Sequence, residues 1–234
     1  MIKRLLFILK ILLLPIILFS QSRPTTEGIN QYVFKNSDSI ISEFNNFFHV
    51  NLYDMSVETG DLREYGYDKN ELGLYDWNLH IITINNEEKF SVYSLKDFKK
   101  TELKNIIHFN NSVRGSLIHE IAHGYTDQIS DSLNFKEKSD FGTIFLKEGV
   151  AEYCSLKLGE VIINDMYIPS SIEELQDQKL LYEINYNYSY FFVRNILDTY
   201  GLTNGIILFF KNPPPTDDEI LNPIKYYTRI KKTF

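Results

Sequence analysis

The sequence predicts one α+β domain in which a small sheet precedes a helical half. Two observations support this. Strand-like alternation is confined to the first half of the chain, whereas helical spacing with capping signals dominates from residue 113 onward. With 234 residues and 44% hydrophobic content, the chain can bury one sizeable core. A doubly wound parallel sheet is disfavoured, because strands and helices would then alternate.

The N-terminal segment, residues 1–22, has the layout of a secretory signal peptide. Lys3 and Arg4 precede an apolar run over residues 5–19. This run is shorter than the roughly 20 apolar residues that span a bilayer. We therefore expect a periplasmic or secreted protein, cleaved near residues 20–22. Retention as a membrane anchor is the alternative.

Charge and cysteine content exclude several classes of protein. Loss of residues 1–22 removes three of the 24 Lys and Arg residues, which changes the formal charge from −7 to −10. Such an acidic chain is not expected to bind nucleic acid. Cys154 is the only cysteine, so an intrachain disulfide and a cysteine-based zinc site are excluded. We expect Cys154 to be a small buried residue.

The first half is predicted to hold one helix and one strand. Ser37 can cap a helix whose core-facing side is formed by Ile40, Ile41, Phe44, Phe47 and Phe48. Residues 73–85 alternate as a strand with both faces partly covered, through Trp77, Leu79, His80, Ile81, Ile82, Thr83 and Ile84. Asn85 and Asn86 end it.

The second half is predicted to be helical. A helix over residues 113–125, capped by Asn111 or Ser112, is followed by one over 143–158 that stops at Gly159. A capping box, Ser170-Ser171-Ile172-Glu173, opens a third helix. The last two predicted helices cover residues 187–200, closed by Gly201, and 203–210. One domain over residues 23–212 then gives way to a short, partly basic tail, 213–234.

The principal motif is His119-Glu120-Ile121-Ala122-His123, an HExxH pattern. Residues four apart share a helix face, so both imidazoles can bind one metal ion while Glu120 addresses its water. The alternative is an amphipathic helix whose apolar residues pack inward while the histidines only find hydrogen-bond partners.

A second pair of residues supports the metal site. Glu148 and Glu152 are four residues apart in an otherwise apolar stretch, where two like charges need a counter-charge. A zinc ion with Glu148 as third ligand supplies it, and Glu152 can accept the outer N–H of a histidine ligand. A solvated surface pair is the alternative, and Asp127 remains a minor candidate for the third ligand.

Through HEIAH and the later EGVAEY, the chain resembles the gluzincin, or peptidase MA-like, group of zinc metallopeptidases over roughly residues 70–210. The resemblance implies a zincin-like domain, a small mixed sheet plus a helical half with the zinc site between them. It also implies that Glu148 is the third ligand, that Glu152 supports a ligand, and that the strand beginning at Gly73 can pair with an extended substrate. The metzincin pattern fails, because Thr126 and Ile129 occupy its glycine and histidine positions.

In the aminopeptidase N-type branch, a tyrosine at the start of the last helix stabilises the tetrahedral intermediate. The resemblance assigns that role to Tyr186, although Tyr182, Tyr188 and Tyr190 crowd the same region. Two features depart from the family: 24 residues separate His123 from Glu148, and no GxMEN-type exopeptidase motif is present.

The expected function is zinc-dependent hydrolysis of peptide bonds, with a zinc-activated water and Glu120 as general base, most consistent with an endopeptidase. The expected partner is a peptide or protein substrate, and no feature of the sequence indicates an oligomeric state. A catalytically inactive zincin-fold binding protein is the main alternative. A metal-free interaction protein that uses its 16 tyrosines and 17 phenylalanines is the other. His49, His80 and His108 are expected to be ordinary histidines.

Overall fold

A computed structural model describes residues 25–52, 55–67, 72–86, 113–136, 140–159, 169–176 and 186–232. The predicted α+β class is confirmed: this part of the chain is mostly helical and contains a small mixed sheet. The predicted signal segment lies outside the described residues. None of the described helices combines the length and apolarity needed to cross a membrane.

The first helix, α1, runs from Thr26 to Phe48. The prediction that Ser37 caps it is wrong, because the Thr25 hydroxyl accepts the Gly28 N–H at 3.1 Å and the apolar spacing begins at Ile29. Its predicted core side is correct at Ile40 and Phe44, which are buried. Phe47 is instead half exposed.

The strand predicted over residues 73–85 is a hairpin. β2 spans Gly73–Asp76 and β3 spans Ile81–Asn85, and they pair antiparallel. The single-strand prediction fails because the Asp76 carboxylate accepts the N–H groups of Asn78 and Leu79 and reverses the chain. The predicted end at Asn85 is confirmed.

The sheet has the order β1–β3–β2. β1, Ser56–Gly60, pairs parallel with β3, and a 3₁₀ turn over Leu62–Tyr65 follows it. β3 therefore lies at the centre with Ile82 and Ile84 buried, and within the described chain β2 forms an edge.

The helices of the second half follow the predicted order. They are α2 (Val113–Ser132), α3 (Phe141–Gly159), α4 (Ile172–Gln176), α5 (Tyr186–Tyr200) and α6 (Leu202–Phe210). α2 continues seven residues beyond its predicted end, and its predicted caps lie outside the described residues. Gly201, with φ 78°, separates α5 from α6 as expected. At the start of α4 the hydrogen bonds differ from the predicted Ser170–Glu173 capping box, since Ser171 accepts the Glu174 N–H and the Glu174 carboxylate accepts the Ser170 N–H.

The segment expected as a tail contributes to the core. It forms α7 (Asp217–Leu221) and α8 (Pro223–Lys231), and Ile220, Tyr226 and Ile230 are fully buried. A complete capping box between Thr216 and Glu219 starts α7.

The central helix α3 packs against α2 on one side and α5 on the other. Gly149 allows the close approach to α5, because a side chain there would collide with the Ser189 carbonyl. Cys154, further along α3, is buried and not disulfide-bonded, as predicted. This packing fixes the face of α3 that meets α2.

Candidate metal centre and its cavity

The two histidines of α2 meet at one point. His119 and His123 are one helical turn apart, and their Nε2 atoms lie 3.1 Å from each other. Two imidazole nitrogens at this distance present two lone pairs to the same place unless one carries a proton. Such an arrangement could hold a metal ion.

Glu148 reaches the same point from α3. Its Oε2 lies 3.3 Å from His119 Nε2 and 3.5 Å from His123 Nε2. Tetrahedral zinc with bonds of about 2.0–2.1 Å holds neighbouring ligand atoms about 3.3–3.4 Å apart. The three observed separations match that spacing, so these residues fit a zinc ion and could hold one.

Within the described chain, the lack of a hydrogen bond to Glu148 Oε2 also supports a cation at this site. Glu148 Oε2 is buried and has no hydrogen-bond partner of acceptable geometry among the described residues. A buried carboxylate oxygen without a donor is costly, and a cation would satisfy it.

The electrostatics of the three side chains also favour a positive charge. Burial opposes ionisation of His119, but the carboxylates of Glu148 and Glu152 outweigh it and hold the pKa of the imidazole well above its ordinary value. Burial likewise opposes the ionised form of Glu148, yet His123 and His119 bring its pKa well below the ordinary value. Both shifts favour a positive charge at this point, and a divalent cation would supply one.

Glu152 lies behind the first histidine. Its Oε1 is 3.4 Å from His119 Nδ1, the ring nitrogen that faces away from Glu148. Both side chains are nearly inaccessible to solvent. From this position a carboxylate can orient the ring and select its tautomer.

Glu120 lies beside the triad without being part of it. Its side chain is buried, and burial, the largest influence, raises the pKa of its carboxyl. The Tyr75 backbone of β2 favours the ionised form of Glu120 and opposes part of that rise in its pKa. Gly73 leaves room for the carboxylate, since a Cβ at Gly73 would lie 2.7 Å from Glu120 Cγ. The edge strand thus fixes the general-base candidate.

These groups open into one cavity of about 290 Å³. Its floor is α2, one wall is β2 with the turn that follows it, and the opposite wall is α3. The lining residues are Gly73, Leu74, Tyr75, Trp77, His119, Glu120, His123, Asp127, Ile144, Lys147 and Glu148.

Asp127, the minor candidate for a third ligand, has another partner. Its Oδ1 accepts a hydrogen bond from Lys147 Nζ at 2.8 Å, and both side chains are largely buried. The structure therefore brings Glu148, not Asp127, to the histidines.

Four tyrosines, Tyr182, Tyr186, Tyr188 and Tyr190, were candidates for the group that stabilises the oxyanion. α5 begins at Tyr186, but the side chain of Tyr186 and the whole of Tyr182 lie outside the described part of the structure. Tyr188 is a core residue whose hydroxyl donates to the Ile220 carbonyl at 2.7 Å. Tyr190 stacks on Tyr153.

The unassigned histidines lie elsewhere. His49 ends α1 in a left-handed conformation, and His80 Nδ1 lies 2.8 Å from the Tyr75 hydroxyl. His108 is outside the described residues. Neither His49 nor His80 belongs to the metal-ligand cluster found among the described residues.

Three residues that line the cavity were not predicted as site residues: Trp77, Ile144 and Lys147. The available signal was weak. Lys147 lies immediately before Glu148 in a mostly apolar helix, and the alternation over residues 73–85 predicted a continuous strand through Trp77. No family model, curated protein sequence or solved structure matches this chain.

Proposed function

We propose that this chain is an exported, zinc-dependent peptidase with a zincin-type catalytic domain. The proposal rests chiefly on one observation. Three ligand atoms at tetrahedral spacing share a cavity with a buried carboxylate, Glu120, that is not itself a ligand. A purely structural zinc site is normally closed by four protein ligands, whereas three ligands beside a cavity are typical of catalysis.

The ion and the protein would divide the chemistry. When bound, zinc supplies a Lewis acid that activates water and polarises a carbonyl. Glu120 removes the proton from the attacking water and delivers it to the leaving amide nitrogen. Burial raises the pKa of Glu120, which makes its carboxylate a stronger base toward the proton of the water than an exposed glutamate would be.

A peptide substrate is proposed because β2 borders the cavity. Within the described chain this strand pairs with β3 on one side only, and Gly73, Leu74 and Tyr75 line the cavity. An extended peptide can add to such an edge through main-chain hydrogen bonds. Edge pairing does not require a chain terminus, which supports an endopeptidase. The oxyanion role of Tyr186 stays a prediction.

The test compares cleavage and zinc content in three proteins. We expect Glu120→Gln to lower zinc-dependent cleavage of a fluorogenic peptide mixture by about 10²–10⁴-fold while zinc content is unchanged. The matched control, Glu64→Gln, alters an exposed glutamate and should change neither quantity. Full activity in the Glu120→Gln protein would refute the role of Glu120 as general base. Zinc binding without any cleavage by wild type would favour the inactive binding protein instead.

A further inference from the structure

The cavity extends beyond the metal ligands, and the contacts of β2 show in which direction. Gly73 faces Glu120, and Tyr75, two residues later, contacts Gly124, about one helical turn later. β2 therefore runs beside α2 in the same direction. Trp77 follows β2 and also lines the cavity, so the direction of β2 places it toward the end of the cavity beyond His123.

The opposite wall of the cavity is α3, which runs in the direction opposite to α2. Glu148 of α3 faces His119, whereas the preceding Lys147 pairs with Asp127, two turns further along α2. Ile144 lies three residues before Lys147 on the same face of α3 and lines the cavity. Ile144 and the ion pair are therefore at the same end of the cavity as Trp77.

Two large apolar side chains remain solvent-exposed at this end. Trp77 is 56% exposed and Ile144 is 43% exposed, although each borders the cavity. We propose that Trp77, Ile144 and the aliphatic part of Lys147 form a subsite for a bulky apolar side chain of the substrate. The inference rests on the proposed peptidase function, since it names the side chain that the same cavity selects.

The ion pair between Lys147 and Asp127 disfavours charged substrate side chains in this subsite. Lys147 Nζ is 2.8 Å from Asp127 Oδ1, and Asp127 is only 3% exposed. An acidic substrate side chain would compete for Lys147 and leave a buried carboxylate uncompensated. A basic side chain would be repelled by Lys147. An apolar side chain leaves the pair intact and covers exposed apolar surface.

Trp77 provides a direct reporter, because it is the only tryptophan in the chain. Its fluorescence is recorded while the Glu120→Gln protein is titrated with acetyl-Gly-Gly-Phe-Gly-Gly-amide, or with peptides carrying Asp or Gly in place of Phe. We expect a saturable blue shift with the Phe peptide and binding at least about tenfold weaker for the other two.

Matched isoleucine variants locate the response. Ile144→Asp should weaken binding of the Phe peptide by about tenfold. Ile224→Asp, at a 78% exposed position on α8 outside the cavity lining, should leave it unchanged. Equal responses to the three peptides, no saturable response, or equal losses in both variants would overturn the subsite.

The readout needs no turnover, so the two proposals fail separately. A selective Trp77 response in a protein whose wild type shows no zinc-dependent cleavage supports the subsite and refutes the peptidase function. Cleavage accompanied by an unselective Trp77 response refutes the subsite alone.

Discussion

Replacement of Lys147 by methionine should destabilise the protein more than the same change at a surface lysine. The variant removes the cation that lies 2.8 Å from Asp127, whose side chain is 5% exposed. Removal of one partner from a buried pair costs about 3–5 kcal/mol. Because the cavity admits water to this pair, we expect about 2–3 kcal/mol, a large share of a typical stability of about 5–15 kcal/mol.

The loss is measured by urea unfolding, followed by circular dichroism with a chelator present. The chelator removes any contribution of metal binding to stability. The matched control is Lys225→Met, because Lys225 pairs with Asp218 at 2.7 Å but both side chains are exposed. That change should cost no more than about 0.5 kcal/mol.

A double variant separates a lost ion pair from lost packing. Asp127→Leu combined with Lys147→Met removes both charges, so no uncompensated carboxylate remains. We expect it to be within about 1 kcal/mol of wild type. If Lys147→Met costs no more than Lys225→Met, or if the double variant is as unstable as Lys147→Met alone, the buried ion pair does not have the stabilising role assigned to Lys147.

Three further predictions concern the site and the C-terminal helices. Glu152→Ala should weaken zinc binding by about 10–100-fold in a competition titration, and an unchanged affinity would exclude its supporting role. Gly73→Ala should displace Glu120 and reduce cleavage about a hundredfold with zinc content retained; equal activity would show that the close contact is unimportant. Glu219→Gln should lower stability near neutral pH by about 1 kcal/mol, because the hydrogen bond from Arg229 lowers the pKa of Glu219. That contribution is present above the unfolded pKa and is lost as pH falls through the lower folded pKa, so the difference in urea midpoints should vanish in acid; a constant difference would contradict it.

The candidate ligands could be predicted from the sequence because helical periodicity fixes which residues share a face. His119 and His123 are one turn apart, and so are Glu148 and Glu152. The apolar residues around each pair make them helical and buried. The three-dimensional structure was needed only to show that the histidine face of α2 meets the glutamate face of α3.

The hairpin was missed because the residues of its turn continue an apolar alternation. Trp77 and Leu79 look like strand residues, yet both are exposed, and the turn is set by hydrogen bonds to Asp76. A local side-chain interaction here overrides the alternation. The consequence for the site is large, since the turn carries Trp77 to the cavity.

The last two helices were missed for a different reason. The run Pro213–Pro215 and the basic residues after Pro223 predicted a short tail outside the domain, although Ile220, Tyr226 and Ile230 are buried. The Thr216–Glu219 capping box was a readable signal of a helix start. The Asp127–Lys147 pair had no such signal, because it depends on how α2 and α3 are aligned.

The most direct test of the account is the zinc content of the purified protein, measured for wild type and Glu148→Ala in parallel at a chelator-buffered free zinc concentration. This buffering excludes loose surface binding. We predict about one zinc per wild-type chain and a clear loss in the variant, because a two-histidine site binds far more weakly than one with a third ligand. Absence of zinc in the wild-type protein, or equal zinc in both proteins, would contradict the proposed metal centre.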